Sequence, residues 1–344
     1  MIALYPSYPT RPNIPDPAFG WEVQAAKAAG FKIAFVDLEV QFGGDIILRR
    51  MPQDDHDVVY RGWLLTPENY ERLEETLNVT GYRMLEGVEA YRESYEFPRW
   101  YAKFKNWTPR SLVVEGQTFD LDDVAARVLA TFSSRLNDLQ RARVQEMNAY
   151  MQKAWAEHGP YLPTLSTEGH DLLELPGPRP IMVKDWVKSR KQDWFDACYM
   201  GDARDTEHVK KVVQRFIELN DGTLAGGLVF REFEDFKRIG THPKTQMPVV
   251  NEWRGFIVNG RCCYLAPYWS AGDYQDVQRP TAEMFNDLAE DAHIDSPFYC
   301  IDVAETPEDG WRVIEINSGG ASGVPEGGDI TAFYQALAGS MPSS

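Results

Sequence analysis

Two apolar stretches toward the C-terminal end, residues 298–304 and 311–316, carry oxygen-bearing side chains inside what otherwise reads as buried strand. In Tyr299-Cys300-Ile301-Asp302-Val303-Ala304, side chains alternate across a sheet, so Asp302 shares a face with Cys300 and Ala304. In Val313-Ile314-Glu315-Ile316-Asn317, Glu315 and Asn317 share one face while Ile314 and Ile316 take the other. Residues 305–310 between them are few and polar, so the strands should pair and bring three oxygen-bearing side chains together at one end of a sheet. Magnesium takes hard oxygen ligands, usually few from protein, with phosphate and water completing the octahedron. Half-exposed polar decoration would also give this pattern, although Asp and Asn are depleted in strand interiors. Spacing alone leaves both readings open. Gly319, Gly320, Gly323, Gly327 and Gly328 follow at once, with Ser318 and Ser322 among them. Such a loop either lets backbone approach a ligand, with the serines donating to a substrate, or is a plain connector.

Further groups upstream add to this pattern. Lys184, Trp186 and Lys188 alternate on one face of an expected strand over residues 181–187. Two lysines on an apolar strand need anions or solvent, because a buried unpaired ammonium is costly. The apolar strand over residues 228–233 ends in Arg231-Glu232-Phe233-Glu234-Asp235, whose backbone can meet a base edge and whose carboxylates can take ribose hydroxyls. Glu252 and Arg254 share a face in Asn251-Glu252-Trp253-Arg254, and a planar guanidinium there suits a phosphoryl group or carboxylate. Singly, each reads as readily as a surface ion pair.

The first third alternates strand and helix: strand 2–4, helix 17–29, strand 33–36, strand 58–65 and helix 67–77. That spacing predicts a parallel, doubly wound sheet, with Tyr5-Pro6 and Asp37 at strand ends where such sheets bind ligands. No glycine-rich dinucleotide fingerprint follows the first strand. Val124, Val128, Phe132, Leu136 and Leu139 mark a long helix over residues 122–158, capped by Asp122 and ended by Gly159-Pro160; it reads as packing. Residues 164–180 read as a boundary loop. Helices are expected at 207–219, 281–292 and 330–337, and a hairpin turns at Asn259-Gly260.

The chain has 344 residues and a formal net charge of -17, which disfavours a nucleic-acid partner. Lys184, Lys188, Arg190 and Lys191 are enough for a triphosphate and too few for a polynucleotide track. No apolar run spans a bilayer, and the first residues read as a strand rather than a signal peptide. The four cysteines form no CxxC pair, so a reducing, cytoplasmic setting without zinc is expected. None of the six histidines sits in a catalytic motif.

A lysine strand, a strand with an acidic end, Glu-x-Trp-Arg, an Asp strand, then Glu-Ile-Asn and glycines: this order resembles the ATP-grasp superfamily, over residues 181–326. Lys184, Arg231 and Arg254 resemble the clade named for two arginines and a lysine. The stretches NEWRGFIVNGR and CIDVAETPEDGWRVIEINSGG also resemble a eukaryotic cell-division-cycle chaperone that assembles a translation factor, with Asn106-Trp107 as a faint further counterpart. The resemblance implies an N-terminal α/β domain with a parallel sheet (1–115), a helical insertion and linker (116–180), and an α+β ATP-grasp fold of two subdomains (181–235 and 236–344) with the nucleotide between them. It implies ATP and Mg2+ as cofactors. Lys184 and Lys188 would hold phosphates, with either as the main ligand, and Arg231, Glu232 and Phe233 would form the adenine hinge. Glu234, Asp235 and Glu252 would complete the nucleotide site, and Asp302, Glu315 and Asn317 would hold the metal. Arg254, with Lys188, would stabilise the transferring group. The implied activity is ligation of a small-molecule or peptide carboxylate to an amine; the alternative is an ATP-binding assembly module clamping a protein partner. One departure stands out: residues 189–202 contain only Gly201, so no glycine-rich phosphate lid is evident, and Arg190-Lys191 is the only substitute in view. Tyr5, Asp37 and Arg61 are further candidates for substrate contacts.

Overall fold

A run such as Ile2-Ala3-Leu4-Tyr5, apolar at every position, suits a strand covered on both faces, and all four are buried. The computed structural model describes residues 1–38, 44–132, 178–190, 193–243, 248–308, 310–326 and 328–340. In it β1 (Ile2–Tyr8) is the centre of a sheet, with β3 (Lys32–Leu38) parallel on one side and β5 (Asp57–Tyr60) parallel on the other. β6 (Arg83–Met84) extends it in parallel beyond β5, while β4 (Ile46–Arg49) runs antiparallel on β3 and β2 (Arg11–Pro15) pairs with the end of β1. The parallel sheet is as expected. The helix expected over 17–29 is a short 3-10 turn, Pro17–Phe19, followed by α1 (Gly20–Ala28). The strand expected to reach residue 65 stops at Tyr60, where the chain turns to meet residues 319–322. α2 (Pro67–Val79) starts on a Thr66 cap with Pro67 in its first turn.

Two helices absent from the sequence reading follow, α3 (Val88–Tyr95) and α4 (Phe97–Phe104). Phe97, Trp100 and Phe104 recur at helical spacing and are fully buried.

The second sheet is antiparallel, in the order β7 (Ser111–Glu115), β10 (Gly227–Glu232), β8 (Ile181–Asp185), β9 (Tyr199–Met200). It begins at Ser111, so residues assigned to the first domain and the insertion belong to this unit: β7 pairs with β10 along its whole length. Between β8 and β9 sits one helical turn, α6 (Trp194–Ala197). α5 (Leu121–Phe132) and α7 (Thr206–Leu219) cover one face, burying Val124, Val128 and Phe132 against Val209, Val213 and Phe216. Asp120, not Asp122, caps α5, accepting from the amides of Asp122 and Asp123. Leu136, Leu139, the Gly159-Pro160 stop and most of the 164–180 loop lie outside the described residues.

The third sheet runs β14 (Arg261–Pro267), β13 (Glu252–Val258), β15 (Phe298–Glu305), β16 (Trp311–Ser318), all antiparallel. A small ribbon, β11 (Arg238–Thr241) with β12 (Pro248–Val250), precedes it. Asn259 and Gly260 have φ of 49° and 74°, the double positive φ that a two-residue hairpin of this hand requires. α8 (Ala282–Ala292) and α4 cover one face through Phe285, Leu288, Trp100 and Ile301. The other face is divided. At one end Phe256, Cys300 and Phe298 pack against Tyr5, Val59 and α9 (Ile330–Ser340) in a core shared with the N-terminal sheet. At the other end that cover stops, and the same face carries Arg254, Asp302 and Glu315.

The described cysteines are all free thiols, and no helix among the described residues is long and apolar enough to cross a membrane.

Candidate active site

Strand register sets the polar row. Arg254 lies opposite Asp302, and Asp302 opposite Glu315, so the three side chains stand side by side on one face of β13, β15 and β16. Asn317 is one row on, opposite Cys300. A bulge at Ile314 shifts register beyond Asp302, turning Val313 and Ile316 into the core while Glu315 stays on the polar face.

Arg254 grips Asp302 with two nearly parallel hydrogen bonds, Nε to Oδ1 at 2.8 Å and Nη2 to Oδ2 at 2.7 Å. Its Nη1 donates to the Gly323 carbonyl at 3.0 Å, and its guanidinium lies over the Tyr268 ring. Burial alone would lower the Arg254 pKa; the adjoining carboxylate outweighs it and keeps the guanidinium charged. Lys184 reaches across from β8 and donates to Glu315 Oε1 at 3.0 Å. The row is therefore two carboxylates and two cations, Arg254 with Asp302 inside the third sheet and Lys184 of the second sheet with Glu315 of the third.

Not every predicted residue arrives there. β8 ends at Asp185, whose carboxylate accepts from the amides of Val187 and Lys188 and turns the chain. Lys188 thus leaves the strand face of Lys184 and is exposed. The Arg231 guanidinium is buried between sheets, donating to the carbonyls of Ile314 and Val313 at the β16 bulge and to Thr108 Oγ1. Burial lowers its pKa to about 10. Its side chain joins two sheets. Glu232 pairs with Arg110 and Glu234 with Arg312; burial pushes the Glu234 carboxyl up. Asp235 accepts from the Phe236 amide, and Glu252 accepts from the Trp269 indole at 2.7 Å. Arg190 bridges to Asp193, and Lys191 lies outside the described residues.

The glycine-rich loop is a welded joint rather than a loose connector. The Gly62 amide donates to the Gly320 carbonyl, and a Cβ on Gly320 would stand 2.7 Å from the Tyr60 carbonyl. Buried Arg61 donates to the carbonyls of Gly319 and Ser322, to both oxygens of Glu22 and to the Tyr334 hydroxyl, which also bonds Tyr5. Arg61 and Tyr5, candidates for substrate contacts, are engaged inside the protein. Asp37 stands 3.9 Å from Arg49. Ser322 accepts from the Cys300 thiol, and the Ser318 hydroxyl is taken by Glu86.

Glu86 escaped the sequence reading. It is buried and takes hydroxyls from Ser94, Ser296 and Ser318. Burial pushes its carboxyl up to about 7, with the serine hydrogen bonds pulling the other way. A folded carboxyl raised above the unfolded value adds stability below about pH 4.5 that is lost as pH rises through about 7, by roughly 3 kcal/mol in all. Glu86→Gln removes that slope. Thermal denaturation of both proteins from pH 5.5 to 8.5 should show the variant gaining several degrees on the parent toward alkaline pH; parallel curves would refute the assignment.

The stretch where no glycine-rich lid is evident is aromatic. Tyr199 on β9 lies opposite Met182 on β8, two residues from Lys184 and so on the same face as it. Its ring stacks on Trp194 at 5.4 Å and meets Phe233 edge-on at 5.3 Å. Trp194 also meets Phe233, and its buried indole N–H has no acceptor among the described residues. The sequence signal is Trp194-Phe195 with Tyr199, aromatic residues where the resemblance calls for glycines.

A family model described as an ATP-grasp domain, the third family of the clade named for two arginines and a lysine, matches residues 173–337. This part of the chain is an ATP-grasp domain. Solved structures similar over nearly the whole chain are D-cycloserine synthetase DcsG, a RimK-domain ATP-grasp protein from Sphaerobacter thermophilus and the D-alanine-D-alanine ligase of Coxiella burnetii. The first is 13% identical, covering 98% of this chain and 99% of that one at a TM-score of 0.51. The second is 12% identical, covering 98% of each, TM-score 0.51. The third is 12% identical, covering 98% and 93%, TM-score 0.51. At such identities the likeness is one of fold, and it takes in the N-terminal sheet as well as the ATP-grasp domain. No curated protein sequence matches. ATP and Mg2+ are the cofactors that go with ATP-grasp ligases. Among the described residues no three His, Cys, Asp or Glu side chains cluster as a metal site. Two carboxylates with an amide, Asp302, Glu315 and Asn317, are nonetheless the sparse oxygen set that magnesium takes when phosphate supplies the rest.

Proposed function

We propose that this ATP-grasp domain is a ligase that activates a carboxylate as an acyl phosphate and joins it to an amine. The observation that carries the reading is the paired row Lys184, Glu315, Asp302, Arg254, in which two cations and two oxygen donors meet beneath the junction of two sheets. Lys184 would exchange Glu315 for phosphate oxygens. Arg254 would hold the transferring phosphoryl group, a role suited to a fixed, always-charged fork. Bound magnesium would be held by Asp302, Glu315 and Asn317 and would neutralise phosphate charge. The base would lie along the hinge of Glu232 to Asp235, against Tyr199, Trp194 and Phe233. Lys188, exposed beyond the strand, would act only if the turn at Asp185 swings inward.

In the first step a carboxylate oxygen attacks the γ-phosphorus, the bond to the bridging oxygen breaks, and ADP leaves. In the second an amine nitrogen attacks the acyl carbon, the carbon–oxygen bond to phosphate breaks, and inorganic phosphate leaves as the nitrogen loses a proton. The fold likeness to a D-alanine-D-alanine ligase supports substrates of amino-acid or peptide type. Limits near residues 110 and 235 would separate the three larger sheets, whereas limits at 115 and 180 would divide the second one.

The test uses oxygen-18-labelled carboxylic acids, ATP, magnesium and hydroxylamine as a general amine. Label appearing in inorganic phosphate together with a hydroxamate supports the reading. ATP hydrolysis that never moves label from any acid in an amino-acid and peptide panel would defeat it. A second check concerns the base site. Trp194→Phe keeps the stacking ring and removes the N–H, so Mg-ATP should bind about fivefold more weakly, the loss of one hydrogen bond of about 1 kcal/mol. Unchanged affinity by calorimetry would place the base elsewhere.

A further inference from the structure

The carboxyl end of the N-terminal sheet carries a hydroxyl that no described residue uses. Ser7, on the same face of β1 as Tyr5, is 7% exposed, and its Oγ has no hydrogen-bond partner among the described residues. A buried hydroxyl without a partner costs free energy unless a ligand or water meets it. Next to Tyr5, on that face, the chain builds an aromatic ledge. Phe19 packs against Tyr5, and Trp63 meets Phe19 edge-on at 5.1 Å. Trp63 remains 45% exposed, and Trp21 at the start of α1 is 49% exposed. Asp16 closes the ledge: its Oδ1 accepts from the Ala18 amide at 2.9 Å and its Oδ2 from the Trp63 indole at 3.3 Å. Gly62, next to Trp63, is bonded to Gly320 of the loop that follows Glu315 and Asn317. Arg61, two residues before Trp63, is buried with every N–H donor engaged elsewhere.

We propose that Ser7, Asp16, Phe19 and Trp63 form the subsite for the amine substrate, and that it takes a primary ammonium carrying an apolar or aromatic group. This rests on the amide-forming reading above. A carboxylate at the edge of an indole and an open indole face both attract a cation. The exposed rings supply apolar contact for the rest of the molecule, and the Ser7 hydroxyl supplies one directed hydrogen bond. A carboxylate ligand meets Asp16, a like charge, and none of the four residues of the ledge offers it a cation.

The test needs no turnover. The full chain is labelled with 5-fluorotryptophan, and the Trp63 fluorine signal, one of ten, is assigned with Trp63→Phe. Phenethylamine and 3-phenylpropionate, near-isosteres of opposite charge, are then titrated. Phenethylamine should shift the Trp63 signal saturably and 3-phenylpropionate should not. Asp16→Asn and Ser7→Ala should each weaken the effect about threefold or more. Both sit at the sheet rim, and the fluorine spectrum of the other tryptophans reports whether the variants stay folded. Equal shifts from both compounds, no shift from either, or phenethylamine binding unchanged by Asp16→Asn would overturn the proposal. Mg-ATP binding, measured separately, reports on the ligase reading: ammonium binding without nucleotide binding would leave this subsite standing and remove that function.

Discussion

Glu315→Gln should abolish most magnesium-dependent ATP turnover, by roughly a hundredfold or more, while leaving the fold intact. Glu315 is partly exposed and pairs with Lys184, so the amide keeps the shape and removes only a charge. Asp302→Asn should lose as much activity for a less clean reason. Its carboxylate is 1% exposed and neutralises Arg254, itself buried. Leaving that guanidinium unpaired costs about 3–5 kcal/mol, so the asparagine variant should also melt earlier. The two variants together separate ligand from scaffold. Steady-state kinetics with circular dichroism melts would show equal kinetic losses and unequal stability losses. If Glu315→Gln turns over ATP normally at low magnesium, the carboxylate row is a structural ion-pair chain and the metal must be sought elsewhere.

The row was legible in part: strand alternation puts Glu315 and Asn317 on one face, while the register that brings Asp302 onto it is seen only in the fold. That Arg254 lies opposite Asp302, and that the two form a bidentate ion pair, depends on strand order, register and burial that pattern alone does not show. Lys188 was misplaced because period-two reasoning assumed the strand ran on past Asp185, where a side chain capping two amides ends it. The buried place of the Arg231 side chain was out of reach for a different reason: a bulge in a strand far along the chain exposes carbonyls that take its donors. β7 was missed because five residues of Ser-Leu-Val-Val-Glu carry too little periodicity to stand out, and only pairing with β10 reveals them. The aromatic cluster of Trp194, Tyr199 and Phe233 was visible as composition, yet its convergence required knowing that a helical turn occupies the expected lid. Local rules reached what lies within one strand pair; contacts that cross between sheets were out of reach.

Arg61→Leu should be among the most destabilising single changes in the chain, and restoring its stability should not restore its activity. Arg61 is 1% exposed and its carboxylate partner Glu22 equally buried. Removing the cation strands a buried carboxylate, at a cost of about 3–5 kcal/mol. Adding Glu22→Gln relieves that charge, so the double variant should recover a substantial part of the melting temperature, as expected for contacting residues whose effects do not add. The carbonyls of Gly319 and Ser322 would still lack their donor in both proteins. The loop they hold runs directly from Asn317 and passes Gly323, whose carbonyl accepts from Arg254. With the weld loosened, the positions of Asn317 and Arg254 relax together, and turnover should stay at least about tenfold down even in the stabilised double variant. Hydrogen exchange at Gly320 to Val324 would rise in both. A double variant that regains stability and full activity with unprotected loop amides would show that the loop's anchoring to the N-terminal sheet serves the fold alone.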